Sequence, residues 1–339
     1  MFRTLAGCSF VVCIGIGALN LSSVSARADE ALTVRLDWLP TGYQAPIWLA
    51  VDKGWFRDAG LDVSISDGNG SATTVQLIAN GQFDVGHAAL SNMALARNKG
   101  MKLVSIAGFF RKGDISLIVP KDSPINGPKD LKGKRLIYTA SSLETPFLDS
   151  FFAAGGVKRE EIDLINVDAN AKVAQYLTTN VDGIISAGPT LALVQDKRPS
   201  RLVLFADFGL NLPSFGLVAN EANLTKKSAA LRQFASIVSG AWAYVLKGHE
   251  DEAIASVLRN RAAARLNAAV MRANLNVSLQ FLHSSSTEKL PIGVQTEDDW
   301  TAAVAILERA KLIPPGTKAH EYFTNDYLDT NTIASIATR

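Results

Sequence analysis

Cysteine is nearly absent from this chain: Cys8 and Cys13 are the two in 339 residues, and none follows. Both fall in a stretch that reads as an export leader. Arg3 gives a positive start, residues 10–19 are an apolar run, and Ala26-Arg27-Ala28 is a small-x-small cleavage site. Leu5-Ala6-Gly7-Cys8 has the composition of a lipoprotein box, but its cysteine precedes the apolar run, which favours release after Ala28 over lipid anchoring. The chain that remains has no disulfide, no thiol nucleophile and no cysteine metal site, so its stability must come from packing.

Long hydrophobic runs are missing too. The leader's run is too short to span a bilayer, and no later stretch is long enough. Nor is there a surplus of one charge. Arg3 and Arg27 leave with residues 1–28, so 32 basic side chains face 32 acidic ones in the remaining 311 residues. A nucleic-acid binder would show a basic excess. His87, His249, His283 and His320 form no i,i+4 pair and no HExxH motif, so no metal is expected. Gly68-Asn69-Gly70-Ser71-Ala72 fails as a nucleophile elbow at its last glycine, and as a dinucleotide loop because Thr73 replaces the third glycine. The expectation is an exported, soluble, globular protein without a cofactor, large enough for one large or two medium domains.

What is present is alternation. Strand-like runs at residues 32–36, 61–66, 83–86 and 103–109 alternate with helical patterns at 45–53, 72–80 and from Ser91 to near Gly100. Such alternation predicts βαβ units on a mainly parallel sheet. A second unit follows a loop-rich stretch at 121–132. It has strands at 135–139, 163–167 and 181–185, a helix through Ala154 capped by Ser141 or Ser142, and another capped by Asn170. QLIANGQFDVG (76–86) and QYLTTNVDG (175–183) echo each other as helix, turn and strand with an aspartate at the strand's start, which suggests two similar lobes. Beyond residue 218 the pattern turns to amphipathic helices at 228–246, 249–259 and 261–282, and one capped by Thr296. These are expected to pack back on the first lobe.

LDWLPTGYQ, residues 36–44, leaves the end of the first strand, where open α/β sheets place their ligands. Asp37, Trp38 and Tyr43 there are either one wall of a cleft or core aromatics with an acid that fixes the turn. Residues 67–71 put small side chains and free N–H groups at a helix start, which suits a polar or anionic group. Gly86-His87-Ala88-Ala89 would let a ligand approach the backbone, and residues 141–145 repeat the arrangement with Glu144 in a first turn. Strand-end loops from two lobes facing one crevice, without a matched acid, base and nucleophile, predict binding without turnover.

The leader, LDWLPTGYQAPIWLAVDKGWFRDAGLDVSI, QLIANGQFDVGHAAL, DLKGKRLIYTASS, EDDWTAAVAILERAKLI and EYFTNDYL together resemble the periplasmic substrate-binding proteins of ABC importers. The likeness is to the branch with thiamine-pyrimidine-precursor binders and, further off, nitrate, sulfonate and taurine binders. It implies a two-lobed α/β Venus-flytrap of the type II class, with lobe 1 from residues 29–115 and 214–339 and lobe 2 from 116–213. It implies hinge strands near 115–119 and 213–218, a periplasmic monomer and an inner-membrane permease as partner. By position it implies a small-molecule site of Asp37, Trp38, Tyr43, Asn69, Gly70, Ser71, His87 and Ser91 from one lobe. Ser141, Ser142, Glu144 and Asp182 would come from the other. Residues 41–44 depart from the histidine that the pyrimidine branch often has there, and Asp37 and Glu144 would repel a sulfonate. If the ligand is an anion, Arg111 is a candidate donor; whether it and the neighbouring Phe109 and Phe110 reach the pocket is left open by the sequence. Fungal relatives that make the pyrimidine carry a cysteine-rich motif, which residues 29–339 lack.

Overall fold

The computed structural model describes residues 1–2 and 29–339; the cleavage site and both cysteines lie outside the described residues. No helix among the described residues is long and apolar enough to cross a membrane. Among the described residues ten strands form two sheets: β1 (Glu30–Arg35), β2 (Leu61–Ser66), β3 (Val85–Ala89), β4 (Leu103–Gly108), β5 (Ile115–Pro120), β6 (Arg135–Tyr138), β7 (Asp163–Asn166), β8 (Gly183–Ala187), β9 (Ser200–Leu204) and β10 (Phe215–Asn220). The sheet orders are β2-β1-β3-β10-β4 and β7-β6-β8-β5-β9.

The sheets are mixed, not simply parallel. In the first, β1 runs parallel to β2 and β3, whereas β10 is antiparallel to β3 and β4. In the second, β6 is parallel to β7 and β8, and β5 is antiparallel to β8 and β9. The odd strand in each sheet is the one that has just crossed from the other. Pairings such as Phe215 with Ala89 join residues far apart in the chain, so no local pattern signals them.

Helices α1 (Ala45–Asp52), α2 (Trp55–Asp58), α3 (Ser71–Ala79) and α4 (Leu90–Asn98) belong with the first sheet, and α5 (Leu148–Ala154), α6 (Lys172–Thr178) and α7 (Leu191–Val194) with the second. The chain then continues through α8 (Glu221–Lys226), α9 (Ser228–Val245), α10 (Glu250–Asn260), α11 (Ala268–Ser278), α12 (Glu297–Arg309) and α13 (Thr330–Ala337). Thr296 caps α12 by accepting from the Asp299 N–H at 3.3 Å, and Trp300, Val304 and Leu307 are buried along one face. α9 packs on α1 and α13, and α10 on α1. α11 departs from the expectation, because it touches both the turn at residues 42–44 and α7 of the other lobe.

Several boundaries shift for physical reasons. β3 begins at Val85 and includes His87 to Ala89, since β10 pairs along its far side. Ser71 does not cap α3: it is the first helical residue, and its hydroxyl accepts the Ala89 N–H at 3.0 Å. Residues 145–147 make a 3₁₀ turn before α5, so Ser141 and Ser142 cap nothing. The echoed aspartates have a shared structural task. Asp84 accepts from the Thr33 N–H and hydroxyl, both at 2.8 Å, and Asp182 accepts from the Arg135 N–H at 2.9 Å. Each ties the start of one parallel strand to its neighbour. Asp182 therefore sits at the amino ends of β6 and β8, opposite the carboxyl ends where the cleft opens, and does not belong to the site.

Candidate ligand-binding site

β1 ends at Arg35, and the turn beyond it is organised by one buried carboxylate. Asp37 accepts the Tyr43 hydroxyl at 2.7 Å and the Gln44 amide at 3.2 Å, and its other contact is His87 Nδ1 at 2.8 Å, which places a proton on that nitrogen. These partners converge because residues 42–44 form a single 3₁₀ turn that brings Tyr43 and Gln44 back to Asp37. The Tyr43 ring stacks on Phe215 with centroids 5.0 Å apart, and burial, followed by the Asp37 charge, raises its phenol well above the usual range. Asp37 thus fixes the turn through three contacts, two on Oδ1 and one on Oδ2.

A slot between the lobes opens beside this turn. The slot is narrow: its free space, about 20 Å³, is room for little more than one water. Trp38, Tyr43 and Phe215 supply aromatic wall, and Leu143, Val173, Ala187 and Leu193 apolar wall. Thr41, Ser71, Ser142, Ser186 and Thr190 with their hydroxyls, Asn274, Lys172 and Asp37 itself complete the lining. Trp38 is half-buried, and Thr41 Oγ1 has no hydrogen-bond partner among the described residues.

Lys172 is the group that sequence reasoning missed. Its ammonium lies 2.5 Å from Glu144 and 5.5 Å from the centre of the Trp38 ring, with both charged side chains buried. Burial pushes the ammonium's pKa down, and the Glu144 charge opposes that shift. Glu144 is therefore a neutralised acid behind the slot, and its expected repulsion of an anion is cancelled. Nothing in the pattern around residue 172 distinguishes this lysine from a solvated one; its burial is tertiary.

The other expected residues divide. Ser71 and Ser142 line the slot. His87 lies behind Asp37, and Ser91 is buried in the first turn of α4 without reaching the lining. Asn69, Gly70 and Ser141 meet one another across the lobes: the Ser141 hydroxyl donates to the Asn69 carbonyl at 2.6 Å, and the Ala72 N–H to the Ser141 carbonyl at 3.2 Å. Gly70 has φ +143°, and a Cβ there would lie 2.0 Å from the Ser141 oxygen. On the opposite flank, Asn274 accepts the Tyr43 N–H at 3.2 Å and donates to the Pro189 carbonyl at 2.8 Å. Arg111 is not an anion donor in the slot. Its guanidinium donates to the Leu282 and Pro291 carbonyls, and burial lowers its pKa to about 10. Phe109 and Phe110 are core residues behind Phe215.

Residues 41–253, from the slot's first turn to α10, match the family described as NMT1/THI5 like. The chain belongs to this family. Over 89% of its length it is 24% identical to a formylaminopyrimidine-binding protein of Halalkalibacterium halodurans, of which the match covers 92%. It is 28% identical, over 50% of its length, to a 4-amino-5-hydroxymethyl-2-methylpyrimidine phosphate synthase of Saccharomyces cerevisiae, of which only 48% is covered. Among solved structures, the alkanesulfonate-binding protein of Xanthomonas axonopodis pv. citri superposes with a TM-score of 0.67 at 16% identity, covering 88% of this chain and 99% of that one. A protein of Bordetella bronchiseptica gives 0.71 at 23%, covering 92% and 99%. The fold is the two-lobed α/β fold of the periplasmic binding proteins.

Proposed function

We propose that this NMT1/THI5-like protein is the extracytoplasmic solute-binding component of an ABC importer, which holds a small pyrimidine-like ring between its lobes and delivers it to a permease. The observation that carries the reading is the slot itself: thin, walled by Trp38, Tyr43 and Phe215, edged with hydroxyls and the Asn274 amide, and built by both lobes. Aromatic faces edged with hydroxyls and an amide suit a flat ring with polar substituents, for which the lobes must part, since the closed slot has room for little more than a water. The formylaminopyrimidine-binding relative, matched along nearly the whole chain, supports the same ligand class. The protein is read as a periplasmic monomer that binds without turnover. Asp37 is committed to its turn and Glu144 to Lys172, which leaves the slot with binding groups and no acid–base pair.

The energetics are sufficient. Stacking contributes about 0.5–1.5 kcal/mol beyond area burial, and each hydrogen bond about 0.5–1.5 kcal/mol. Burial of the ring adds roughly 25 cal/mol per Å², so several contacts together reach the ~8 kcal/mol of micromolar binding.

A second reading keeps the protein class and changes the ligand to a sulfonate or carboxylate. The row of lining hydroxyls favours it, since hydroxyls donate to an oxyanion, whereas the Lys172 charge is already paired with Glu144. Thermal unfolding against aminopyrimidines, alkylsulfonates, taurine, nitrate and aromatic carboxylates separates the two. Aminopyrimidines are expected to raise the melting temperature by several degrees at ligand concentrations of about 100 Kd, where linkage supplies ~2.7 kcal/mol. Stabilisation by the anions alone refutes the pyrimidine reading.

A further inference from the structure

Two crossovers join the lobes, residues 109–114 between β4 and β5 and residues 205–214 between β9 and β10. They run side by side. The Phe109 and Phe110 N–H groups both donate to the Phe215 carbonyl at 2.9 Å, the Ser214 N–H donates to the Phe110 carbonyl at 2.9 Å, and the Gly113 N–H to Asn211 Oδ1 at 2.9 Å. At the last position of each crossover is a polar side chain, Asp114 on one and Ser214 on the other. Both carboxylate oxygens of Asp114 and the Ser214 hydroxyl are buried and make no hydrogen bond of good geometry among the described residues; the hydroxyl lies near enough to the carboxylate to favour its charged form without a full bond. The main-chain carbonyl of Asp114 is held by the Gly188 N–H at 2.7 Å and the Ser116 hydroxyl at 2.8 Å, so Asp114 travels with the second lobe.

A buried carboxylate without partners is costly, and ionising it there more so. The charged groups that bear on Asp114 come from both lobes: Asp37 from the turn after β1, which is paired with His87, and Glu144 from the segment after β6, which is paired with Lys172. Tyr43 also faces it, and Asp114 adds to the upward push on that phenol. Asp37 belongs to the first lobe and Asp114 is held by the second, so the separation of the two carboxylates and the access of water to Asp114 are tied to the angle between the lobes.

We infer that Asp114 is a proton-binding site at the hinge, loaded when the lobes close and emptied when they open. It goes beyond the assignment of a ligand, because it depends on lobe closure alone. In the closed arrangement the carboxyl is pushed up to about 7, by burial first, with Asp37 and Glu144 adding to it and Ser214 opposing. The open form lets the carboxyl fall toward its ordinary value of about 3.9. The closed form therefore holds the proton more tightly. Closure is favoured at low pH, loses that advantage as pH rises from the ordinary carboxylate range to about 7, and is insensitive above it.

Residues 29–339 contain no cysteine, so spectroscopic labels at Gln76→Cys on α3 and Ala153→Cys on α5, both exposed, report the distance between lobes in ligand-free protein. The open-to-closed ratio is expected to rise by up to about tenfold per pH unit between about pH 5 and about pH 7, then level off. Asp114→Asn, which cannot ionise, is expected to abolish this rise and stay closed; Ser214→Ala is expected to move the upper end of the window to higher pH. An unchanged pH response in Asp114→Asn, or a wild-type distance that does not change with pH, overturns the inference. Should Asp114→Asn fail to fold, Ser214→Ala decides: a pH window that does not move overturns it.

Discussion

Lys172 and Trp38 divide the work of one wall of the slot. The ammonium lies over the indole and against Glu144, so the charge is spent inside the protein while the ring's edge and free face remain available. Removing one member of a buried pair leaves the other uncompensated, which costs about 3–5 kcal/mol. Lys172→Met is expected to lose that much stability in denaturant unfolding, and Lys172→Met with Glu144→Leu to regain most of it; equal losses in both would show that the pair is not the cause. Trp38 is different, because it is half-buried and its indole is not part of the aromatic core around Phe215. Trp38→Ala is expected to weaken ligand binding at least tenfold, about 1.4 kcal/mol, with the melting temperature of the free protein nearly unchanged. Titration calorimetry beside thermal unfolding tests both halves. The sequence displayed Trp38, in a turn leaving a strand, but not Lys172. A lysine inside a polar stretch has no local mark of burial, and the acid that neutralises it stands in a different turn.

At the level of elements, the carboxyl ends of the parallel strands were readable. Alternating strand and helix patterns place β1, β3, β6 and β8, and the segments that leave three of them reach the slot: residues 37–43 after β1, Ser142 and Leu143 after β6 and Thr190 after β8. The antiparallel strands β5 and β10 were visible as apolar runs, yet their insertion in mid-sheet was not, because their partners lie across a lobe. α11 shows the same limit. Its pattern, Met271 and Leu275 buried at four-residue spacing, marks an ordinary core helix. What pattern cannot show is that Asn274, between them, bonds to Tyr43 on one lobe and Pro189 on the other. The turn at Gly42 permits this approach, since a Cβ there would lie 2.0 Å from the Met271 carbonyl oxygen. The helix thus reaches the slot only because the turn carries no side chain at that point.

For the whole molecule, the described form is closed, with clasps on two flanks of the slot: residues 69–72 against Ser141, and Asn274 against Pro189. Both clasps are direct contacts between lobes, so closure depends on them as well as on what lies between the lobes, and a ligand shifts the equilibrium by its extra contacts to the closed state. Gly70 isolates this term. Its φ of +143° is strained for any side chain, and an added Cβ would meet Ser141 of the opposite lobe at 2.0 Å. That collision exists only when the lobes are together, so opening relieves it. Gly70→Ala is expected to keep each lobe folded and lose stability by only about 1–3 kcal/mol from backbone strain. Its ligand-free form is expected to be more open, with a larger radius of gyration in small-angle scattering, and its ligand affinity to fall tenfold or more because binding must now drive closure against the clash. A variant with wild-type affinity and radius of gyration would mean that residues 69–72 and Ser141 part without consequence for closure. Closure would then rest on the Asn274 flank and on the ligand.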